Sequence, residues 1–149
     1  MSISAAEKEV FDRINTHIGG VPALGVVKVW DRVEPLLKRV VKPETGYDLY
    51  SVLTQLQLGT MQLWVIGDFQ GVVVTTVLKR PLHKVFWVQF MAGSDMKNWL
   101  DDVGEVLEAY ATHIGCKMIE FSGRPGWNKV RHRHPEYKQV LTVFRRALP

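Results

Sequence analysis

The 149-residue chain holds one cysteine, Cys116, so no disulfide forms within it and the composition fits a reducing compartment. Cys116 falls between a helix end and a strand, where a buried structural thiol is expected. No apolar run reaches about 18 residues, the length a membrane-spanning helix needs. The first residues, MSISAAEKEVFDR, carry early acids and no apolar stretch, so no secretory signal is expected. A Walker loop, a Rossmann glycine fingerprint and a His-Glu-x-x-His motif are all missing. Ser122 before Gly123 does not complete a Gly-x-Ser-x-Gly elbow. Of five histidines (His17, His83, His113, His132 and His134) only the last two are close, and there is no second thiol. The sequence therefore predicts no metal site. It has no repeat, linker or low-complexity segment.

What remains is an ordinary globular composition, 46% apolar and 23% charged, at a length that suits one domain with one sizeable core. The net charge of +4 is unevenly spread. From Lys117 onward, eight Lys and Arg face two Glu, which puts +6 on the last 33 residues and leaves −2 on the first 116. A basic C-terminal part suits a phosphate-bearing cofactor, a nucleic acid or an acidic protein surface, or is simply a solvated face. Arg124 to Lys138 also carries Trp127 and Tyr137 as stacking groups, but no nucleic-acid motif accompanies them, and nucleic acid is the weaker expectation.

Ser4-Ala-Ala-Glu7 is a capping-box pattern ahead of Val10, Ile14 and Ile18, and predicts a helix that Gly19-Gly20 stops. Residues 1–25 are thus expected to be an N-terminal helical extension. Val21 to Val29 reads as a loop into a short extended piece. Asp31, with Glu34 three residues on, predicts the start of a second helix, with Pro35 in its first turn. A third helix is expected over Tyr47–Leu58, with Leu49, Tyr50, Leu53 and Leu56 inward and Gly59 closing it. The period then changes. Met61–Ile66, Val72–Leu78 and Lys84–Ala92 are rich in β-branched and aromatic residues, and their spacing predicts two hairpins.

Lys84–Ala92 is apolar in both registers, as a central strand would be. The loop Ala92-Gly93-Ser94-Asp95 follows, with Ser94 or Asp95 as N-cap. Trp99, Leu100, Val103, Leu107, Tyr110, Ala111 and Ile114 then recur at helical spacing up to Gly115. A strand at Lys117–Phe121 comes at once, so this helix is a crossover between parallel neighbours. A short helix from Trp127 to about His132 is expected next. Tyr137–Leu148 reads as a last strand, with a helix nearly as compatible. The fold class is α/β: a mixed sheet, antiparallel meander first, then crossover helix and parallel strand, with helices on both faces.

This order of elements over roughly residues 26–148 resembles the GNAT acyltransferase superfamily. In that superfamily the fourth strand ends in Arg/Gln-x-x-Gly-x-Gly/Ala, whose amides hold the pyrophosphate of acetyl-coenzyme A at a helix start. The matching segment is Gln89-Phe90-Met91-Ala92-Gly93-Ser94. Gln89 fits, while Ala92 and Ser94 stand where small glycine-type residues belong and Gly93 is one place off. Asp95 and Asp101-Asp102 add negative charge near the same helix end. The loop is a degenerate version. Aligning Glu136-Tyr137 with the family's Gly-Phe pair puts His132 at the position of its proton-donating Tyr. His132 is then a candidate general acid or a member of a solvated basic cluster. Glu120 falls where some members hold a water-activating base.

A closer likeness is to small GNAT-like proteins of tailed-phage and prophage genomes. It rests on Gly115-Cys116-Lys117-Met118-Ile119-Glu120, on Gly123-Arg124-Pro125-Gly126-Trp127 with Tyr137 about ten residues on, and on Gln62-Leu63-Trp64 followed by Val74-Thr75. Arg124 could present a fork of donors at the strand's end. Two functions follow from the resemblance. One is a non-catalytic virion or host-interaction component with a protein partner, in the virion or the host cytoplasm. The other is an active acetyl-CoA-dependent N-acetyltransferase, with catalytic His132 and Glu120 and with Gln89, Ala92, Gly93, Ser94 and Arg124 on coenzyme A.

Overall fold

The computed structural model describes residues 18–123 and 125–149. The helix expected from Ser4 lies outside them, except for its last residue. Ile18 is instead the first residue of β1 (Ile18–Val21), and Gly19 and Gly20 lie within that strand. It pairs antiparallel with β2 (Gln62–Ile66), Ile18 opposite Ile66. Glycines that resemble a helix stop are here strand residues. A short edge strand needs a partner more than it needs propensity.

Helix α1 (Val26–Leu37) begins five residues before the expected Asp31. Val26, Val33 and Leu37 are its buried stripe, at helical spacing. The β-branched Val26, Val27 and Val29 suggest extended chain, and packing overrides that preference. Pro35 consequently sits inside the helix, in its last turn. Helix α2 (Leu49–Leu58) starts with a capping box: the Asp48 carboxylate accepts the Ser51 N–H at 2.7 Å, and the Ser51 hydroxyl accepts the Asp48 N–H at 3.0 Å. Gly59 ends it at φ 79°, a left-handed position that glycine occupies freely. Val52 and Leu56 are its buried residues, whereas Tyr50, expected inward, faces solvent.

Strands β2, β3 (Gly71–Lys79) and β4 (Lys84–Gly93) form the expected antiparallel meander. Helix α3 (Met96–His113) crosses to β5 (Met118–Phe121), which pairs parallel with β4. The sheet order is β1-β2-β3-β4-β5, so β4 is internal. A 3-10 turn, Pro125–Trp127, leads into the six-residue α4 (Asn128–Arg133). From His134 to Pro149 there is neither helix nor strand, so the last strand expected at Tyr137–Leu148 does not form within this chain.

The sheet has a core on each face. On one face, Trp64, Ile66, Val73 and Phe86 of the sheet pack with Trp99, Val103 and Tyr110 of α3. Tyr110 meets Trp64 and Phe86 edge-on at 5.0 and 5.6 Å, the arrangement that ring quadrupoles favour. On the other face, Leu63, Val72, Val74, Phe90 and Ala92 of the sheet pack with Leu37 of α1 and Val52 of α2. The one buried polar side chain among the described residues, Thr75, accepts the Trp64 indole N–H at 2.9 Å and donates to Gln62 Oε1 at 3.1 Å, as burial requires.

One irregularity shapes the functional end. On β3, Val74 opposes Phe90 while Thr75 opposes Val88, so Gln89 is an extra residue in β4, a β-bulge. The β4–β5 ladder runs only from Val85–Met118 to Val88–Phe121. The two strands therefore part at the bulge.

A candidate binding cleft where β4 and β5 part

Gln89–Gly93 pairs with β3 on one side and with no described strand on the other. Antiparallel pairing engages only alternate residues, so every second backbone N–H and C=O of this segment faces the gap. The gap is a cleft of about 1080 Å³. β4 supplies one wall, Ile119 and Phe121 of β5 the other, and the face of α3 bearing Leu100, Asp101, Gly104, Glu105 and Glu108 the floor. Trp127, His134, Glu136 and Tyr137 close one end; Arg39, Lys42 and Glu44 stand at the other.

Tyr137 donates its hydroxyl proton to Glu108 Oε1 at 2.7 Å and packs on Phe121, with ring centroids 5.8 Å apart. Burial first, and the Glu108 carboxylate second, push the phenol well above its ordinary range, so it stays protonated. His134 lies between Asp101 Oδ1, 2.9 Å from Nε2, and Glu136 Oε1, 3.3 Å from Nδ1. The hydrogen bond to Asp101 is the main reason its pKa rises, and the same bond is the main reason that of Asp101 falls. Arg133 adds a second contact to Asp101 at 2.7 Å. The cleft thus holds two proton donors, each fixed by a carboxylate of α3.

The residues singled out from sequence are divided by this geometry. Gln89, Ala92 and Gly93 line the cleft. Gln89 accepts the Trp87 indole N–H at 3.0 Å. The side chain of Ala92 is buried in the α1/α2 core. At Gly93, φ is 155°, and a Cβ would fall 2.4 Å from the Gln70 carbonyl oxygen and 3.0 Å from the Trp99 ring. Glycine is required there by packing of the chain itself. Ser94 is not in the cleft lining; its N–H donates to the Gln70 carbonyl at 2.9 Å and its carbonyl accepts the Trp99 indole N–H at 2.8 Å. Asp95 precedes the helix at φ 54° and makes no side-chain capping bond, so neither expected N-cap side chain is seen to cap. Arg124 lies outside the described residues.

Glu120 is turned away from the cleft. Alternate strand residues face opposite sides; with Ile119 and Phe121 in the lining, Glu120 meets Arg80 instead, at 2.8 and 3.1 Å. His132 is exposed and borders a smaller depression with Asn128, Pro135, Tyr137 and Lys138, of which Tyr137 also lines the cleft. The groups in the cleft that sequence reasoning missed are His134, Glu108 and Gly104, while Tyr137 was singled out there only as a stacking group and a motif residue. A signal was present for part of this set: Asp101, Glu105 and Glu108 fall at spacings of four and three, one polar stripe of α3.

Coenzyme A would need free amides and positive potential at the Gly93–Ser94 turn. The Ser94 amide is engaged and Gly93 is filled around by its own chain. The lining also holds five carboxylates (Glu44, Asp101, Glu105, Glu108 and Glu136) against three Lys and Arg. In this geometry the Ser94 amide is not free for a pyrophosphate. Among the described residues, no cluster of three or more His, Cys, Asp or Glu suits a metal, and no helix is long and apolar enough to cross a membrane.

No protein-family model and no curated protein matches the chain. Solved structures do. An aminoglycoside acetyltransferase from an uncultured soil metagenomic sample, in complex with sisomicin, superposes with a TM-score of 0.63 at 14% identity, over 93% of this chain and 99% of that one. The ribosomal-protein-alanine N-acetyltransferase of Brucella melitensis biovar Abortus 2308 gives 0.61 at 12% identity, over 89% and 98%. The glucosamine-6-phosphate N-acetyltransferase of Arabidopsis thaliana gives 0.60 at 14%, over 89% and 97%. Identities this low speak for the fold alone. With its mixed five-stranded sheet, crossover helix and split between the fourth and fifth strands, the chain has the fold of the GNAT N-acetyltransferases.

Proposed function

We propose that the protein is a non-catalytic binding member of this fold, whose β4–β5 cleft takes an extended, positively charged protein segment rather than coenzyme A. The carrying observation is the Gly93–Ser94 turn, where the Ser94 N–H is bonded to the Gln70 carbonyl and the Trp99 ring lies against Gly93. Three features favour a chain-like cationic ligand. The open side of Gln89–Gly93 offers backbone groups for strand addition, and the carboxylates of α3 lie across from it. Gly104 stands mid-helix on the same face with nothing within 4 Å of where a Cβ would be, which leaves room for close approach of a backbone. The sequence likeness to phage and prophage proteins supports a virion or host component as the setting.

A second reading, an acetyl-CoA-dependent N-acetyltransferase, draws on the cleft and on the Tyr137 hydroxyl within it. It requires pyrophosphate contacts other than Gly93 and Ser94. Thermal unfolding separates the two, because a ligand of the native state raises the melting temperature. Millimolar coenzyme A should leave it unchanged, whereas a lysine-rich decapeptide should raise it. A rise with coenzyme A, or none with the peptide, overturns the proposal.

A further inference from the structure

We infer that the end of the cleft walled by Phe121, Trp127 and Tyr137 is a subsite for a quaternary ammonium group, which on the protein segment proposed above is a trimethylated lysine. The inference rests on the cationic-segment reading only for the chain that carries the ammonium. All three rings line the cleft, and each is partly exposed rather than buried. Trp127 and Tyr137 each meet Phe121 with centroids 5.8 Å apart, at interplanar angles of 63° and 55°. The two flanking rings are thus inclined to Phe121 instead of stacked on it, and the three bound a corner of the cleft with aromatic surface.

Two of these walls are pinned. The Trp127 ring lies against Gly123, where a Cβ would fall 2.5 Å from Cδ1 and 3.0 Å from Cγ of the indole. Only glycine lets the indole sit so close to the backbone there. Tyr137 is tied to Glu108 through its hydroxyl. Gly123 and Trp127, the two ends of the Gly-Arg-x-Gly-Trp segment, thereby acquire a role in the cleft. A corner fixed in advance loses little ordering entropy when it is filled.

The groups around the rings select the ligand. Asp101, Glu108 and Glu136 line the cleft beside them. Three carboxylates against Arg133 and a protonated His134 leave a negative balance among these described side chains, which favours a cation. Hydrogen bonding decides which cation. Glu108 already accepts from Tyr137, Asp101 from Arg133 and His134, and Glu136 pairs with His134. A primary ammonium is compact, strongly hydrated and carries three donors; here it would exchange water for carboxylates that are already engaged. A trimethylammonium has no donor to satisfy. Its charge is spread over methyl groups that pack on aromatic faces and draw on their quadrupoles.

Titrating the isotope-labelled full chain with tetramethylammonium chloride, against ammonium chloride at the same concentration, tests the subsite without any peptide. The amide resonances of Phe121 and Tyr137 should move saturably with millimolar tetramethylammonium and not with ammonium. Trp127→Leu keeps apolar bulk and removes the indole quadrupole, whereas Gly123→Ala keeps all three rings and displaces the indole. Each should weaken binding about fivefold, in protein whose spectrum stays dispersed. No saturable response to tetramethylammonium, an equal response to ammonium, or full affinity in either variant overturns the inference. A decapeptide with one trimethyllysine should bind more tightly than the same peptide with lysine there. Tetramethylammonium bound as expected, with neither peptide bound, would support the subsite, assign its ammonium to a small molecule and strike the cationic-segment reading alone.

Discussion

Val85–Val88 and Gln89–Gly93 are two halves of one strand with opposite fates. The first half has β3 on one side and β5 on the other, with Val85 and Phe86 fully buried. The second keeps only β3 and borders the cleft. A single extra residue, Gln89, separates them. A strand can therefore belong to the core and to a binding site without any break in its chain, because a bulge redirects pairing while leaving the backbone extended.

Phe86→Ala should have the largest effect. It removes a ring packed on Tyr110 and should cost about 3–5 kcal/mol in denaturant unfolding. Gln89→Ala should cost less than about 1 kcal/mol, the scale of one partly exposed hydrogen bond. Equal losses would erase the distinction between the halves. Gly93→Ala comes next. A Cβ there meets the Gln70 carbonyl, so stability should fall by about 1–3 kcal/mol. Unchanged stability would mean that the glycine is not held there by packing.

The sequence made the first half legible and hid the second. The β-branched runs, the hairpin spacing and the apolar stripe of α3 announce the meander and crossover, because those periodicities belong to each element alone. The bulge cannot be read that way, since it exists only in the register between β3 and β4. The same is true of the surroundings of Gly93, since tertiary packing alone brings Gln70 and Trp99 against it. At the far end, aligning Glu136-Tyr137 with a Gly-Phe pair pointed to His132, whereas Tyr137 itself enters the cleft. The side to which Glu120 points was hidden for a simpler reason: strand parity is fixed only once β5 is paired. In α1 and β1, local preference pointed one way and tertiary packing the other.

Smaller effects sharpen the contrast. Gly104→Ala should stabilise the protein by about 0.4–1 kcal/mol, since an interior helical glycine gives way to alanine in open space. The same change should weaken the thermal shift produced by the decapeptide. Stabilisation with undiminished binding would separate Gly104 from the site. The His134–Asp101 contact should give the weakest signal. His134, raised chiefly by that hydrogen bond, stabilises fully below its ordinary 6.5 and loses the contribution as pH rises through its higher folded value. Asp101, lowered by the same bond, contributes above 3.8 and loses it as pH falls through its lower folded value. The contact is therefore best between those limits. It is solvent-exposed, so the change is small, and Asp101→Asn should flatten the melting temperature between about pH 5 and 8.

The proposal that the turn at the end of β4 does not receive coenzyme A is tested most directly by titrating isotope-labelled protein with coenzyme A and following the amide resonances of Gly93, Ser94 and Met96. The expected result is no movement of those three signals at millimolar ligand. Saturable shifts at all three would mean that the turn receives a pyrophosphate after all, and that the cleft is a cofactor site.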